Sequence, residues 1–390
     1  MSDVSHVAIG DFCQTGSGGT PSRDQMARYY DGGTIPWVKS GELRESVITS
    51  TEEHVTEAAL KETSVKLVPE NALLVAMYGA TVGRLGILGV PATTNQAVCH
   101  IVPDPARAEV RYLYRALETK VSEMLRRTVG GAQPNINQGI VRELTIPLPP
   151  LPEQRRIAAI LDQAETLRTQ RRAALAQLDS LTQSLFLDMF GDADTILKKW
   201  AVNELGTSLE FLTSGSRGWA TFYAESGDLF LRIQNVRRDE LSLDDVAYVK
   251  APDTAEARRT LVQPGDVLLS ITADLGRTAV IPNDIGPAFI NQHLTILRTK
   301  AFVPRFLSAY LTSPMGQRQV MGRNKQAVKA GLNFDDIRSF QIPHPPHDLQ
   351  QTFATRVQAI EALKAQHRIA LAEADALFAA LQQRAFAGKL

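Results

Sequence analysis

The two halves of this sequence repeat each other 196 residues apart. Asn95-Gln96 returns as Asn291-Gln292, Asn137 as Asn333, and Ile146-Pro147 with Pro149-Pro150 as Ile342-Pro343 with Pro345-Pro346. Glu165, Leu167, Leu181, Leu185 and Phe190 return as Glu361, Leu363, Leu377, Leu381 and Phe386. Upstream the register drifts: Leu73-Leu74 aligns with Leu268-Leu269 and Gly83-Arg84 with Gly276-Arg277, as small loop insertions require. An offset shared over so many positions is a duplication, and a period this long means two copies of a whole domain, not a solenoid. Whatever fold one copy takes must be built twice, and a pseudo-two-fold arrangement is expected.

Each copy begins with mixed β and α patterning. Leu73–Ala76 and Val267–Ile271 are short apolar runs entered through the turn signals Pro69-Glu70-Asn71 and Pro264-Gly265-Asp266. A helix is expected over Val110–Arg127, with its counterpart over Val303–Arg323. Each copy then changes character. From Glu153 to about Met189 there is no Pro or Gly, and Ile157, Ile160, Leu161, Ala164, Leu167, Leu175, Leu178, Leu181, Leu185 and Met189 recur mostly at steps of three and four. Prolines 149, 150 and 152 mark the start and Gly191 the end. The second such stretch runs from about Leu349 to Ala385, with Phe353, Val357, Ile360, Leu363, Ala370, Ala374, Leu377 and Leu381 on its stripe.

A helix of about 36 residues is about 54 Å long, and alone in water its apolar stripe needs a partner. The other copy, packed antiparallel as a coiled-coil-like pair, is the expected one. The fold class is then α+β: two tandem mixed α/β domains separated by two long antiparallel helices. The expected boundaries are 1–150 for the first domain, 151–191 for a central helix, 192–346 for the second domain and 347–390 for a C-terminal helix.

Composition narrows the function classes. With 42 basic and 42 acidic side chains the formal charge is zero, so any nucleic-acid surface must be a local basic cleft. Cys13 and Cys99 have no CxxC partner or ligand set, which argues against a zinc site or a disulfide framework. No basic region followed by an apolar run opens the chain, and no stretch of about 18 apolar residues occurs, so a cytoplasmic protein is expected. Gly16-Ser17-Gly18-Gly19 lacks the Lys-Ser/Thr of a phosphate loop. The Pro-Pro pairs follow Leu148 and His344 and lack the Asn/Asp-Pro-Pro-aromatic form of an adenine-flipping clamp. Asp104 and Glu109 with Arg111 are the nearest imitation of a metal-nuclease cluster. No catalytic residue is assigned.

The run Pro147-Leu-Pro-Pro-Leu-Pro-Glu-Gln-Arg-Arg-Ile-Ala-Ala-Ile-Leu-Asp162 resembles the join between recognition domain and spacer helix in specificity subunits of type I restriction–modification systems. Gly19-Thr20-Pro21, Gly33-Thr34-Ile35-Pro36-Trp37-Val38, Leu231-Arg-Ile-Gln-Asn235 and the Asn-Gln pairs resemble parts of their target-recognition domains. The resemblance covers nearly the whole chain, duplication included. It implies a DNA-binding subunit without catalysis of its own, each domain reading one half of a bipartite site in double-stranded DNA. It further implies spacer helices that set the gap and bind two modification (methyltransferase) subunits, with restriction subunits in a larger complex. S-adenosylmethionine, and ATP with Mg²⁺ for restriction, would be used by those partners and no cofactor by this chain. The second join departs from the pattern: Pro152-Glu153-Gln154 is replaced by Asp348-Leu349-Gln350.

Phosphates are held by Lys, Arg and backbone amides, and base edges are read mainly by Arg, Asn, Gln and Lys. In the first domain the candidates are Lys39, Arg84, Asn95, Gln96, Arg126, Arg127, Gln133 and Asn135. In the second they are Arg217, Trp219, Arg232, Gln234, Asn235, Arg277, Asn291, Gln292, Arg323, Lys325 and Lys329. Pairs kept in both copies suit the common fold or phosphate contact. Base readers are expected where the copies differ, as at Tyr29, Lys39, Arg217, Trp219 and Lys325. On the helices, Glu153, Gln154, Arg155, Arg156, Ile160, Arg171, Gln350 and Arg356 are the expected partner contacts. A duplicated protein-interaction scaffold and a self-sufficient DNA-modifying enzyme are the alternatives.

Overall fold

The apolar runs that follow the turn signals become the central strands. In the computed structural model, which describes residues 5–44, 47–127, 135–193, 195–323 and 331–390, strands Leu73–Ala76 and Val267–Ser270 are buried at every residue. In the first copy the sheet order is Cys13–Ser17, Val98–Pro103, Leu73–Ala76, Leu85–Leu88, Val47–Ile48. In the second it is Leu209–Ser214, Leu294–Thr299, Val267–Ser270, Thr278–Val280. The last strand of the first sheet pairs parallel with its neighbour, and in the second copy the parallel bridge Arg238–Thr278 holds that place. A smaller sheet accompanies each. Ile35–Val38 lies between Glu53–Val55 and Thr93–Thr94, and Asp228–Leu231 lies between Ala247–Val249 and Ala288–Ile290, with Tyr223–Ala224 added outside.

Strand pairing corrects the alignment of the copies. Leu73 faces Ile101 and Val267 faces Leu297, so Leu73 corresponds to Val267 and Leu74 to Leu268. The two strands have the same length, four residues each, and the match shifts by one residue. Sheet register decides, because a one-residue slip would turn every side chain to the other face.

The helix expected over Val110–Arg127 is present as Val110–Arg126, with the Glu109 carboxylate accepting from Tyr112 N–H at 2.7 Å. Its counterpart is broken in two, Pro304–Thr312 and Pro314–Arg323. Ser313 is extended there (φ −64°, ψ 161°), since a residue before proline is driven out of the helical region. The long helices run over Leu151–Phe190 and His347–Phe386. The first ends at Gly191, whose φ of 100° favours a residue without Cβ.

The chain forms two compact units, Met1–Arg171 with Ala370–Leu390, and Arg172–Ile369. Each long helix is therefore divided between them. In the first unit Ile157, Leu161 and Ala164 join Phe378 and Ala385 in one core with Leu73, Val75, Ile101 and Leu113. In the second unit Phe353 and Val357 join Phe186 and Phe190 in a core with Val267, Leu269, Phe306 and Tyr310.

Within each unit the two helical segments run antiparallel. In the first, Arg156 donates to the Leu390 carbonyl at 2.9 Å while Arg168 meets Asp375 at 2.6 Å. In the second, Lys364 meets Asp179 at 3.0 Å and the Phe186 ring lies 5.7 Å from that of Phe353. Glu165, Arg168 and Asp375 form an ion triad in the first unit, and Glu361, Lys364 and Asp179, each 196 residues away in sequence, form the other. The roles of the two helices are exchanged between the triads.

The apolar stripe is only partly a seam. Leu167 and Leu377 in the first unit are 47% and 51% exposed, and Leu181 and Leu363 in the second are 45% and 42% exposed. A two-helix contact buries a narrow seam, while this stripe is wider. Among the described residues no helix is long and apolar enough to cross a membrane.

Candidate nucleic-acid interface

Five chain segments meet at one end of each central strand, through the same backbone hydrogen bonds in both units. In the first unit, Met77 N–H donates to Ala97 O (2.8 Å), Ile136 N–H to Met77 O (2.9 Å), Asn95 N–H to Val38 O (3.0 Å) and Gly83 N–H to Ala76 O (2.8 Å). In the second, Ile271 N–H donates to His293 O (2.9 Å), Leu332 N–H to Ile271 O (3.0 Å), Asn291 N–H to Leu231 O (3.1 Å) and Gly276 N–H to Ser270 O (3.1 Å). These bonds gather the turn after the small-sheet strand, the glycine hairpin, the Asn-Gln turn, the end of the central strand and the segment re-entering at Asn135 or Gly331. Loops held at a strand end by a rigid sheet are where recognition residues concentrate.

Lys39 and Arg232 occupy the same position in the two copies, directly after Val38 and Leu231. The turn that presents them is held by one side chain in each case. Glu42 accepts from Lys39 N–H and from Glu52 N–H, both at 2.8 Å. Asn235 accepts from Arg232 N–H at 2.9 Å and donates to Ser242 O (3.0 Å) and Asp245 O (2.8 Å). The cations are then met by carboxylates of the returning segment. Lys39 Nζ lies 2.9 Å from both Glu52 and Glu53, and Arg23 lies 2.7 Å from Glu53. Hydrogen bonds from Arg23, then Lys39, hold the Glu53 carboxyl down at about 2. Arg232 reaches the Asp245 carboxylate at 3.4 Å, and Gln234 donates to it at 2.7 Å.

Asn95 and Asn291 serve the turns themselves. Each side-chain oxygen accepts the N–H two residues on, from Ala97 and His293, at 3.2 Å. Gln96 bonds Thr20, and Gln292 lies 3.0 Å from His293. Gly83 and Gly276 share a left-handed φ of 83° and 81° that closes the hairpin. The arginines after them differ. Arg277 is held by Asp274 and by Val236 O, whereas Arg84 is exposed and forms no side-chain hydrogen bond or ion pair with a described residue. Arg217 is likewise exposed and unpaired among the described residues. Arg126 is exposed, and Arg127 is held by Glu123 at 2.5 Å. Asn135 bridges Tyr78 through its backbone. Gln133, Lys325 and Lys329 lie outside the described residues.

Several of the candidate DNA residues are engaged within the fold. Trp219 is 6% exposed and packs against Phe222, Phe230 and Phe289, because its ring closes the small-sheet core. Asn235 and Asn291 are 2% and 8% exposed, being consumed by the turns they hold. Arg323 clasps Ser339 through its side-chain hydroxyl (2.7 Å) and carbonyl (2.8 Å) over the Phe340 ring. Tyr29 is buried, with its hydroxyl 3.4 Å from Glu62.

The helix residues also divide. Gln154 and Gln350 are fully buried and cannot be partner surface. Gln154 accepts from Glu109 N–H (2.9 Å) and donates to Arg107 O (2.9 Å) and Pro149 O (2.7 Å). Gln350 accepts from Val303 N–H and donates to Pro345 O, both at 2.9 Å. They latch each long helix to the helix entry of its own copy. Arg155, Arg171 and Arg356 are exposed, Ile160 is half-buried, and Glu153 pairs with Arg156 at 2.7 Å. The four exposed leucines are the surface feature that sequence alone places in the seam.

Among the described residues no group of His, Cys, Asp and Glu gathers as an ion site. Burial pushes both thiols, Cys13 and Cys99, up to about 12, away from the thiolate form.

A duplicated α+β chain with loops gathered at matching strand ends and paired long helices is the architecture of a class of DNA-specificity subunit. The family model for the type I restriction modification DNA specificity domain matches residues 1–177 and 244–373, and the chain belongs to that family. It is similar to the MjaIX specificity subunit of Methanocaldococcus jannaschii, with 23% identity over 90% of this chain and 85% of that one. It is 25% identical to the Escherichia coli EcoBI specificity subunit over 77% of this chain and 70% of that one. The match to the E. coli EcoR124I/EcoR124II specificity subunit is 28% identical but spans about half of each, 47% of this chain and 46% of that one. The fold is that of the S subunit from M. genitalium, at TM-score 0.62 and 15% identity over 98% of this chain and 96% of that one.

Proposed function

We propose that this chain reads a bipartite site in double-stranded DNA, one half with each unit, and presents it to modification subunits held on the long helices. The reading rests on one observation: the same set of loops converges at the same strand end in both units, with different side chains on the shared frame. A common frame with divergent tips suits two half-sites of different sequence. Arg84 and Arg217, both exposed and without a side-chain partner among the described residues, are assigned to DNA contact, one in each unit. The carboxylate-held pair Lys39 and Arg232 is assigned to base reading, where a fixed cation loses less freedom on binding. The chain is a non-catalytic specificity subunit, and methylation or cleavage belongs to partners using S-adenosylmethionine or ATP and Mg²⁺. Leu167 with Leu363, and Leu181 with Leu377, support twin partner surfaces, since the same exposed leucines recur in both copies.

The test is binding of the purified chain to duplex DNA across a salt series, with S-adenosylmethionine and Mg²⁺ added in a second arm. A steep fall of affinity with salt and no turnover is expected. Salt-independent binding of protein alone would favour a scaffold, and turnover by the chain alone an enzyme.

A further inference from the structure

The loop between Arg232 and Asp245 is anchored far more heavily than a surface turn needs. Val236 bridges Leu241, and Arg237 N–H donates to Glu240 O at 2.9 Å, closing a tight hairpin. Asp239 sits at its tip with a left-handed φ of 57°, which Asp tolerates better than most residues. The tip is turned into the unit. Arg305 donates to the Asp239 carbonyl at 2.8 Å and lies 3.2 Å from its carboxylate, which also accepts from Ser308. Burial raises the Asp239 carboxyl above its ordinary range against the pull of Arg305. The next residue, Glu240, meets Arg368 of the second long helix at 2.7 Å. Arg277 adds a bond to Val236 O at 3.4 Å.

The two ends of this hairpin thus do different things. Its base carries Arg232 and Gln234, both bonded to Asp245. Its tip is fixed to the helix Pro304–Thr312 and to the long helix. Tip and base are joined by a few residues of paired backbone, so a shift at the tip moves the base.

We propose that Asp239 and Glu240 are positioning residues, which strap the hairpin to Arg305 and Arg368 and so aim Arg232 and Gln234 at the bases of one half-site. This rests on the DNA-reading function above. The long helix then acts as an aiming frame, and a residue that need not touch DNA, Arg368, helps to set which bases are accepted.

The charge reversal R368E places two carboxylates together and pushes the tip away. The charge swap E240R/R368E restores an ion pair of opposite polarity. Both positions are partly exposed, with side chains 28% and 49% accessible for Glu240 and Arg368, so both variants should fold, which thermal melting checks. Wild type and variants are bound to a random duplex pool, and the retained DNA is sequenced. R368E is expected to lower base preference about fivefold at one half of a two-part motif, within the range of one mismatched pair, and the swap to restore it. Unchanged preference in R368E, or an equal loss across both halves, overturns the strap. If wild type retains no motif, DNA reading itself fails and the strap falls with it.

Discussion

The turn that carries Lys39 and the turn that carries Arg232 are one backbone design with two sets of side chains. In the first, Glu42 holds the turn and Glu52 and Glu53 hold the cation; in the second, Asn235 and Asp245 do so. The carboxylates do not come from matching positions. Glu53 faces Trp37 and Ala247 faces Phe230 in the two small sheets, so Ala247 stands where Glu53 stands in the first copy. What the copies share is the means of fixing the loop, and what they do not share is the chemistry displayed on it. This is the pattern expected of a duplicated frame whose tips have been free to diverge toward different targets.

The shared frame can be broken first at its latches. Gln154 makes three bonds to backbone groups, of which the one to Pro149 O is fully buried, and Gln350 makes two, both buried. Replacing the amide by an apolar side chain leaves those groups unsatisfied, at about 1–3 kcal/mol each. Q154L should destabilise its unit by about 3–5 kcal/mol and Q350L by about 2–3 kcal/mol, by denaturant unfolding followed through amide exchange in each unit. Equal effects would mean that the extra bond of Gln154 contributes nothing.

A smaller difference lies in acid. The Glu53 carboxyl is depressed to about 2, below its ordinary value of 4.5, so its contribution to stability is complete above pH 4.5 and is lost as pH falls toward 2. The second copy has Ala247 there. The protection of amides in Ile35–Val38, taken relative to the unfolded chain at each pH, should therefore fall between pH 4.5 and 2 in wild type, and E53Q should flatten that dependence. An unaltered profile in E53Q would separate Glu53 from the cation network.

Much of this fold is visible in the residues. The 196-residue offset, the buried runs at Leu73 and Val267, and the proline-to-glycine punctuation place the strands and bound the long helices to within about two residues. The break at Ser313 was also written there, in Pro314, but apolar periodicity carries through it and hides it. Other features have no linear signature. Gln154 and Gln350 look like polar surface at a helix start, and only the folded chain shows backbone groups closing around them. The stripe leucines look alike, and packing alone separates the buried Leu161 from the exposed Leu167. Among the candidate DNA residues, Arg277 has Asp274 three residues before it where Arg84 has Thr81, but only the folded chain shows that this pair closes.

Each unit is expected to read its own half of the site. Selection from a random duplex pool with wild type, R84A and R217A measures this directly. A two-part motif is expected in wild type, with R84A weakening only one part and R217A only the other. A single undivided motif, or both substitutions acting on the same part, would contradict it.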